Sequence, residues 1–175
     1  SGTTTGHIDT GAFLSCNNIR GVTIKSGVTT INAHAFIGTS MTSVSIPNTI
    51  TTMGLSVFAS TFNLATVTFG AGSLMTILPD VAFFQTSALT SITLPSTLEE
   101  IGIAAFRESG LTSIHIPESV TEIKTNAFKD TSDLKSVSIP YGATIDSTAF
   151  SNSGCPTVTY SAGLTMCNCV TTDTS

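Results

Sequence analysis

A small residue followed by phenylalanine comes round seven times along this chain, as Ala12-Phe13, Ala35-Phe36, Val57-Phe58, Ala82-Phe83, Ala105-Phe106, Ala127-Phe128 and Ala149-Phe150, at spacings of 22 to 25 residues. A period of that length marks one supersecondary unit per repeat, too small to bury its apolar side alone and therefore stacked on its neighbours. The chain reads as a solenoid, and its function belongs on the repeated surface rather than in a central pocket. Seven Phe at one repeat position predict a column of rings inside the coil, because a one-layer core needs large apolar side chains.

Upstream of the Phe pairs lies a second motif, L-x-S-I-x-I-P, at Met41 to Pro47, Leu89 to Pro95, Leu111 to Pro117 and Leu134 to Pro140, with degenerate copies from Ile19 and Leu64. Its β-branched residues alternate with polar ones, the period of a strand with one face buried, and proline ends the strand because it has no N–H for a ladder. After a short turn comes an apolar pair three residues apart: Val28 and Ile31, Ile50 and Met53, Leu98 and Ile101, Val120 and Ile123. The return arm has about a dozen residues, which predicts a tight turn, a second short extended piece and a one-turn helix rather than a long one. One repeat departs from the rule. Phe69-Gly70 stands where its neighbours have Ile46-Pro47 and Leu94-Pro95, and Gly70 to Phe83 is two residues longer than Pro47 to Phe58. The extra residues fall near Ala71 to Pro79, as a local bulge or as a contact loop.

Strand, proline, apolar pair and Ala-Phe recurring together resemble the BspA-like class of leucine-rich repeats, over about residues 8 to 150. The match is clearest from Leu111 through Val120 and Ile123 to Ala127-Phe128. The resemblance implies a right-handed leucine-rich-repeat solenoid of the α/β horseshoe class, β-dominated, with about six to seven repeats. A parallel sheet would form one face, with short turns and 3-10 or one-turn helices on the other. It also implies an extracellular surface protein of microbes or protists that binds hosts, matrix or other cells, and it supplies no catalytic residues. The family's Cys survives only at Cys16, three residues after Phe13, where the resemblance implies a free thiol in the core.

Function on such a scaffold falls to the strand residues that point away from the core. One column is Gly21, Ser43, Thr66, Ser91, Ser113, Ser136 and Thr157; the other is Thr23, Ser45, Thr68, Thr93, His115, Ser138 and Thr159. Neighbouring strands lie ~4.8 Å apart, so these become two hydroxyl ladders on one uncharged face. Three readings compete for it: a merely solvated sheet face, a contact surface for protein or glycan, and an ice-ordering array. Ser interrupts Thr at half the positions, which counts against ice. His115 alone breaks the columns, and with no Cys, Asp or Glu at ligand spacing it does not suggest a metal site.

Composition narrows the classes further. Only 10% of the 175 residues are charged while Ser and Thr make up nearly a third, so solubility rests on hydroxyls. A net charge of -5 with six scattered Lys and Arg leaves no basic stripe, which points away from nucleic acid and anionic membrane. No apolar stretch approaches the roughly 20 residues that span a bilayer. Ser1 opens the chain with no charged or apolar leader, as expected of a mature or trimmed segment. No G-x-S-x-G, phosphate-binding Gly loop or H-E-x-x-H is present, and Glu99-Glu100 reads as a solvated turn pair; no enzyme, cofactor or metal is expected.

Residues 1–150 are thus read as solenoid and 151–175 as a C-terminal cap. Cys155 is expected to pair with Cys167 or Cys169, leaving one thiol for a following Cys-rich segment or another copy, because Cys16 lies on the order of 30 Å away at ~4.8 Å per coil. Because Ile8 to Phe13 already reads as the apolar return arm, no separate capping module is expected ahead of the first coil, and an uncovered edge would invite end-to-end stacking. The expected function is a non-catalytic extracellular adhesion or recognition domain. A structural subunit of an extracellular fibre or coat is the alternative.

Overall fold

The computed structural model describes residues 6–154 and, as strand backbone, 157–160. It is a β-solenoid of about six turns with parallel strands. One side of the coil carries β2 (Gly21–Thr23), β4 (Ser43–Ile46), β6 (Thr66–Phe69), β9 (Ser113–His115), β11 (Ser136–Ile139) and β13 (Thr157–Tyr160). The other side carries the shorter β1 (Gly6–Ile8), β3 (Val28–Ile31), β5 (Thr52–Met53), β7 (Ile77–Leu78), β8 (Glu100–Ile101), β10 (Glu122–Ile123) and β12 (Thr144–Ile145). The second extended piece expected from sequence is therefore a second sheet face. We number the coils from the strand that opens each, so that coil one begins before β2, coil three holds β6 and β7, and coil four holds residues 89–106.

The interior follows from the two sequence periods. Phe36, Phe58, Phe83, Phe106 and Phe128 are fully buried, and all seven rings stack with centroids 4.9 to 5.5 Å apart and planes within 12° of parallel. Around that column lie the inward residues of the first sheet, such as Val44, Ile46, Ile114 and Val137, and the apolar pairs of the return arm. The long coil has its own pair in Met75 and Leu78, both buried.

Among the described residues there is no helix, and the expected one-turn helix at the Phe corner is replaced by turns. The reason is the backbone. Two residues before Phe and two after it, the chain turns left-handed, as at His34 (φ 59°), Ser56 (54°), Gln85 (58°), Glu108 (56°), Asn126 (57°) and Asp130 (60°). A right-handed helix cannot pass through such residues. Their N–H groups, with that of Phe, point at the next coil instead: Ser56, Phe58 and Ser60 donate to the carbonyls of Asp80, Ala82 and Phe84 at 2.7 to 3.0 Å. The corner is thus a hydrogen-bonded stack rather than a helix, and it satisfies the donors that a helix would have paired internally.

Close stacking needs small residues where corners meet. A Cβ on Gly54 would lie 2.2 Å from the backbone nitrogen of Ala33, and one on Gly110 would lie 2.0 Å from the Ser87 carbonyl oxygen.

Cys16 is free but exposed, not buried as the family pattern implied. Within the described residues its coil has a neighbour on one side only, and Phe13 beside it is likewise only partly buried. The equivalent positions deeper in the stack are Thr39, Thr61, Thr86, Ser109 and Thr131, all buried. Three of these hydroxyls donate to main-chain carbonyls: Thr61 to Phe36 at 3.2 Å, Thr86 to Phe83 at 2.8 Å and Thr131 to Phe128 at 2.5 Å. A column that the family fills with thiols is here a column of hydroxyls.

Candidate binding face

The first sheet brings the predicted columns into register. Gly21, Ser43 and Thr66 are direct partners, as are Thr23, Ser45 and Thr68. Farther along, Ser113, Ser136 and Thr157 align, and His115, Ser138 and Thr159 align beside them. Ser43, Ser45, Thr66, Thr68, Ser91, Thr93, Ser113, His115 and Ser136 are exposed and Ser138 is half-buried. None of these side chains makes a hydrogen bond or ion pair within the described residues. The contrast with other surface threonines is instructive: Thr42, Thr51, Thr112 and Thr121 donate to the carbonyls of Arg20, Thr29, Thr90 and Glu99, each one coil back. Those hydroxyls clamp the coils, whereas the hydroxyls of the face are free to bond a ligand or water.

The face is not one continuous ladder, as the sequence suggested, but two. β2, β4 and β6 form one three-stranded sheet and β9, β11 and β13 another. Residues Ser91–Leu94 between them hold no strand pairing, although they repeat the L-x-S-I-x-L-P pattern of their paired neighbours. No hydrogen bond joins the backbone of Ile92, Thr93 or Leu94 to either adjacent coil. The second side is also interrupted, between β5 and β7. Both breaks border coil three, the one with two extra residues.

Register narrows where those residues lie. Leu78 pairs with Ile101 and Met75 stands level with Leu98, so the longer path is confined to Ala71–Leu74, against Ser96 and Thr97 in the next coil. Gly70 begins this loop because a Cβ there would meet the Asn48 nitrogen at 2.6 Å. Asn48 Nδ2 then donates to the Ala71 carbonyl at 3.0 Å, and the single Thr97 hydroxyl proton is shared between the Met75 and Ser73 carbonyls, 2.7 and 3.0 Å from Oγ1. The loop is therefore built into the stack from both sides. Between it and coil four lies a groove of about 390 Å³ that includes Thr68, Phe69, Ser73, Thr93, Leu94 and Pro95.

Two further features went unread in the sequence although both are visible there. Residues 26–79 contain no Asp, Glu, Lys or Arg, and no charged residue lines the groove. The second side carries its own outward rows, with Thr30 level with Thr52 and Ile77 level with Glu100, Glu122 and Thr144. That face changes from Thr to Glu along the stack. Glu100, read as solvated, pairs with Lys124 of the next coil at 2.7 Å. The described residues hold no cluster of three or more His, Cys, Asp or Glu able to bind a metal. Cys155, Cys167 and Cys169 lie outside the described residues.

The profile of the BspA type leucine-rich repeat region matches residues 3–87 and 72–169, in six copies. The chain belongs to the BspA-type leucine-rich repeat family. Among solved structures it resembles a leucine-rich repeat protein from Eubacterium ventriosum, 27% identical with a TM-score of 0.78, over 87% of this chain and 41% of that one. A leucine-rich repeat protein of T. pallidum is 28% identical with a TM-score of 0.64, over 68% of this chain and 58% of that one. The pneumococcal vaccine antigen PcpA shares the fold at 20% identity and a TM-score of 0.56, over 73% of this chain and 41% of that one. The chain thus spans about two fifths to three fifths of these solenoids. No curated protein matches it. No helix among the described residues is long and apolar enough to cross a membrane.

Proposed function

We propose that this BspA-type repeat chain is a non-catalytic extracellular recognition module that binds protein or glycan through the first sheet face. The observation that carries the proposal is the set of unbonded hydroxyls in two columns, on a face free of Asp, Glu, Lys and Arg. Such groups donate and accept hydrogen bonds without the desolvation cost of charges. The break at Ser91–Leu94 spoils the unbroken lattice that an ice plane needs, which favours recognition over ice ordering. In this reading residues 151–175 close the C-terminal end, with Cys155 bonded to Cys167 or Cys169.

Replacing Thr68, Thr93 and Ser138 with Lys places three charges on the face without touching the core. The triple variant is expected to keep the wild-type far-ultraviolet circular dichroism and to lose binding to glycan arrays and purified matrix proteins. Binding that survives the substitution removes the face from the proposal. Ligand-independent polymers in light scattering favour the alternative, a fibre or coat subunit.

A further inference from the structure

The groove between coils three and four has a chemistry of its own, and it differs from the rest of the face in three respects. It is concave, at about 390 Å³, within the roughly 300–1,000 Å³ of small-ligand sites. It combines the free hydroxyls of Thr68 and Thr93 with an apolar wall of Phe69, Leu94 and Pro95. And it borders the backbone of Ile92–Leu94, whose N–H and C=O groups bond to neither neighbouring coil. Backbone groups left unpaired in this way must be met by water or by a ligand.

We infer that this groove is a subsite for a neutral saccharide. No charged side chain lines it, so an anionic or cationic ligand would lose hydration there without gaining a counter-charge. A sugar fits both halves of the lining: its hydroxyls exchange hydrogen bonds with Thr68, Thr93 and the open backbone, while its C–H face lies on the half-buried Phe69 ring. Phe69 is the telling residue. Its repeat position holds aliphatic residues in the neighbouring coils, Ile46 and Leu94, and an aromatic again only at the last strand, Tyr160, and Phe69 is only partly buried. The other occupant suited to open backbone groups is a peptide strand inserted between the coils. Coils three and four are held too close for that: Ala88 N donates to the Phe62 carbonyl at 3.2 Å below the strands, and Thr97 Oγ1 donates to the Ser73 carbonyl at 3.0 Å above them. An added strand needs a lane of ~4.8 Å.

The inference rests on the recognition reading and narrows it, so the experiment separates the two. The intact chain is titrated with maltohexaose, cellohexaose and mannohexaose, with heparin hexasaccharide as a charged control, and backbone amide shifts are followed by NMR. At least one neutral saccharide is expected to shift amides of 67–73 and 92–96, and heparin is not. Thr68→Val with Thr93→Val, which keeps shape and strand preference, is expected to weaken binding at least tenfold. Ser113→Val with Ser136→Val, on the same face away from the groove, is expected to change it less than twofold. Equal losses in both pairs overturn the groove as subsite and leave the face as binder. Binding of heparin alone, of peptides alone or of no saccharide overturns the inference. Of these, binding of peptides or proteins to the face preserves the recognition reading, and no binding by any ligand class ends both.

Discussion

Residues 26–79 contain no Asp, Glu, Lys or Arg, whereas residues 80–146 contain thirteen, yet Phe36 and Phe58 in the first stretch are as fully buried as Phe106 and Phe128 in the second. The two regions also tie their coils together differently. In the uncharged region side chains reach backbone: Thr42, Thr49 and Thr51 donate to the carbonyls of Arg20, Val28 and Thr29. The charged region keeps such clamps at Thr112, Ser119 and Thr121 and adds ties from side chain to side chain: Gln85 donates to Glu108 at 2.8 Å, Arg107 pairs with Asp130 at 3.5 Å, and Lys124 reaches Glu100 at 2.7 Å. In a solenoid each coil needs its neighbours only for the core and the backbone bonds, so surface chemistry is free to change along the stack. The change comes at coils three and four, where the sheets break and the groove opens.

The largest expected effect tests whether that seam divides the fold. The Phe83–Phe106 ring stack and the Val81, Phe83 and Gln85 corner bonds to Ile103, Ala105 and Arg107 cross it without interruption, which predicts one cooperative unit. Phe58→Ala and Phe106→Ala should each cost about 3–5 kcal/mol in urea unfolding, as buried Phe truncations do, with a single transition retained. Two transitions, with each substitution moving only one, would show two independently stable halves.

Next in size is the packing between corners. Gly54→Ala sets a methyl 2.2 Å from the Ala33 nitrogen, a backbone atom that cannot swing aside. A loss of about 1–3 kcal/mol is expected from forced backbone movement. Gly72, with nothing within 4 Å of its notional Cβ but a φ of 72°, should lose about 1 kcal/mol or less on the same change. Equal losses would mean that conformation rather than stacking governs both sites.

Much of this architecture was legible in the sequence because it repeats in register. The Phe column and the second apolar arm recur and the structure keeps both, while the proline-ended strands form at Ser43–Ile46, Ser113–His115 and Ser136–Ile139 but not at Ser91–Leu94. The left-handed corner was not legible, because its residues carry no common signal: besides Gly11 and Gly38 they are Ser, His, Val, Ala, Gln, Glu, Asn and Asp. The gap at Ser91–Leu94 was hidden for another reason. Those residues spell a strand as well as Ser113–Ile116 do, and what differs is the longer path of coil three beside them. The hydroxyl columns were readable residue by residue, but the groove arises only between two coils. The uncharged run from 26 to 79 was in plain view and was obscured by the low charge of the whole chain.

Buried hydroxyls offer a smaller contrast. Thr39 in the uncharged region is buried with an unpartnered Oγ1, whereas Thr131 in the charged region donates to Phe128. Thr39→Val should therefore raise stability by about 1 kcal/mol, and Thr131→Val should lower it by about as much. Chemical denaturation of the two variants decides it; a loss at Thr39 would mean that its hydroxyl has a partner such as water.

The smallest effect is the dependence on pH, and it belongs to the charged region alone. Asp146 is held below the ordinary carboxylate value, chiefly because the Thr148 hydroxyl donates to its carboxylate at 2.6 Å, with the Thr148 N–H at 2.9 Å and the Thr125 hydroxyl at 3.1 Å adding to it. Because its folded value lies below the unfolded one, its contribution is present above ~pH 4 and disappears as pH falls through the lower value. Lys124 runs the other way: the Glu100 carboxylate raises it, so its contribution holds below the ordinary lysine value and fades only in strong alkali. Acidification from pH 5 to pH 3 should thus loosen the corner from Asp146 to Phe150, while the stretch from Met41 to Phe58, which has no carboxylate, keeps its protection. Hydrogen exchange corrected for intrinsic rates measures both at once, and Asp146→Asn should flatten the response at the last corner. Equal acid loosening in the two stretches would mean that the coils exchange stability along the whole stack, so that the charged region's titration is felt in the uncharged one.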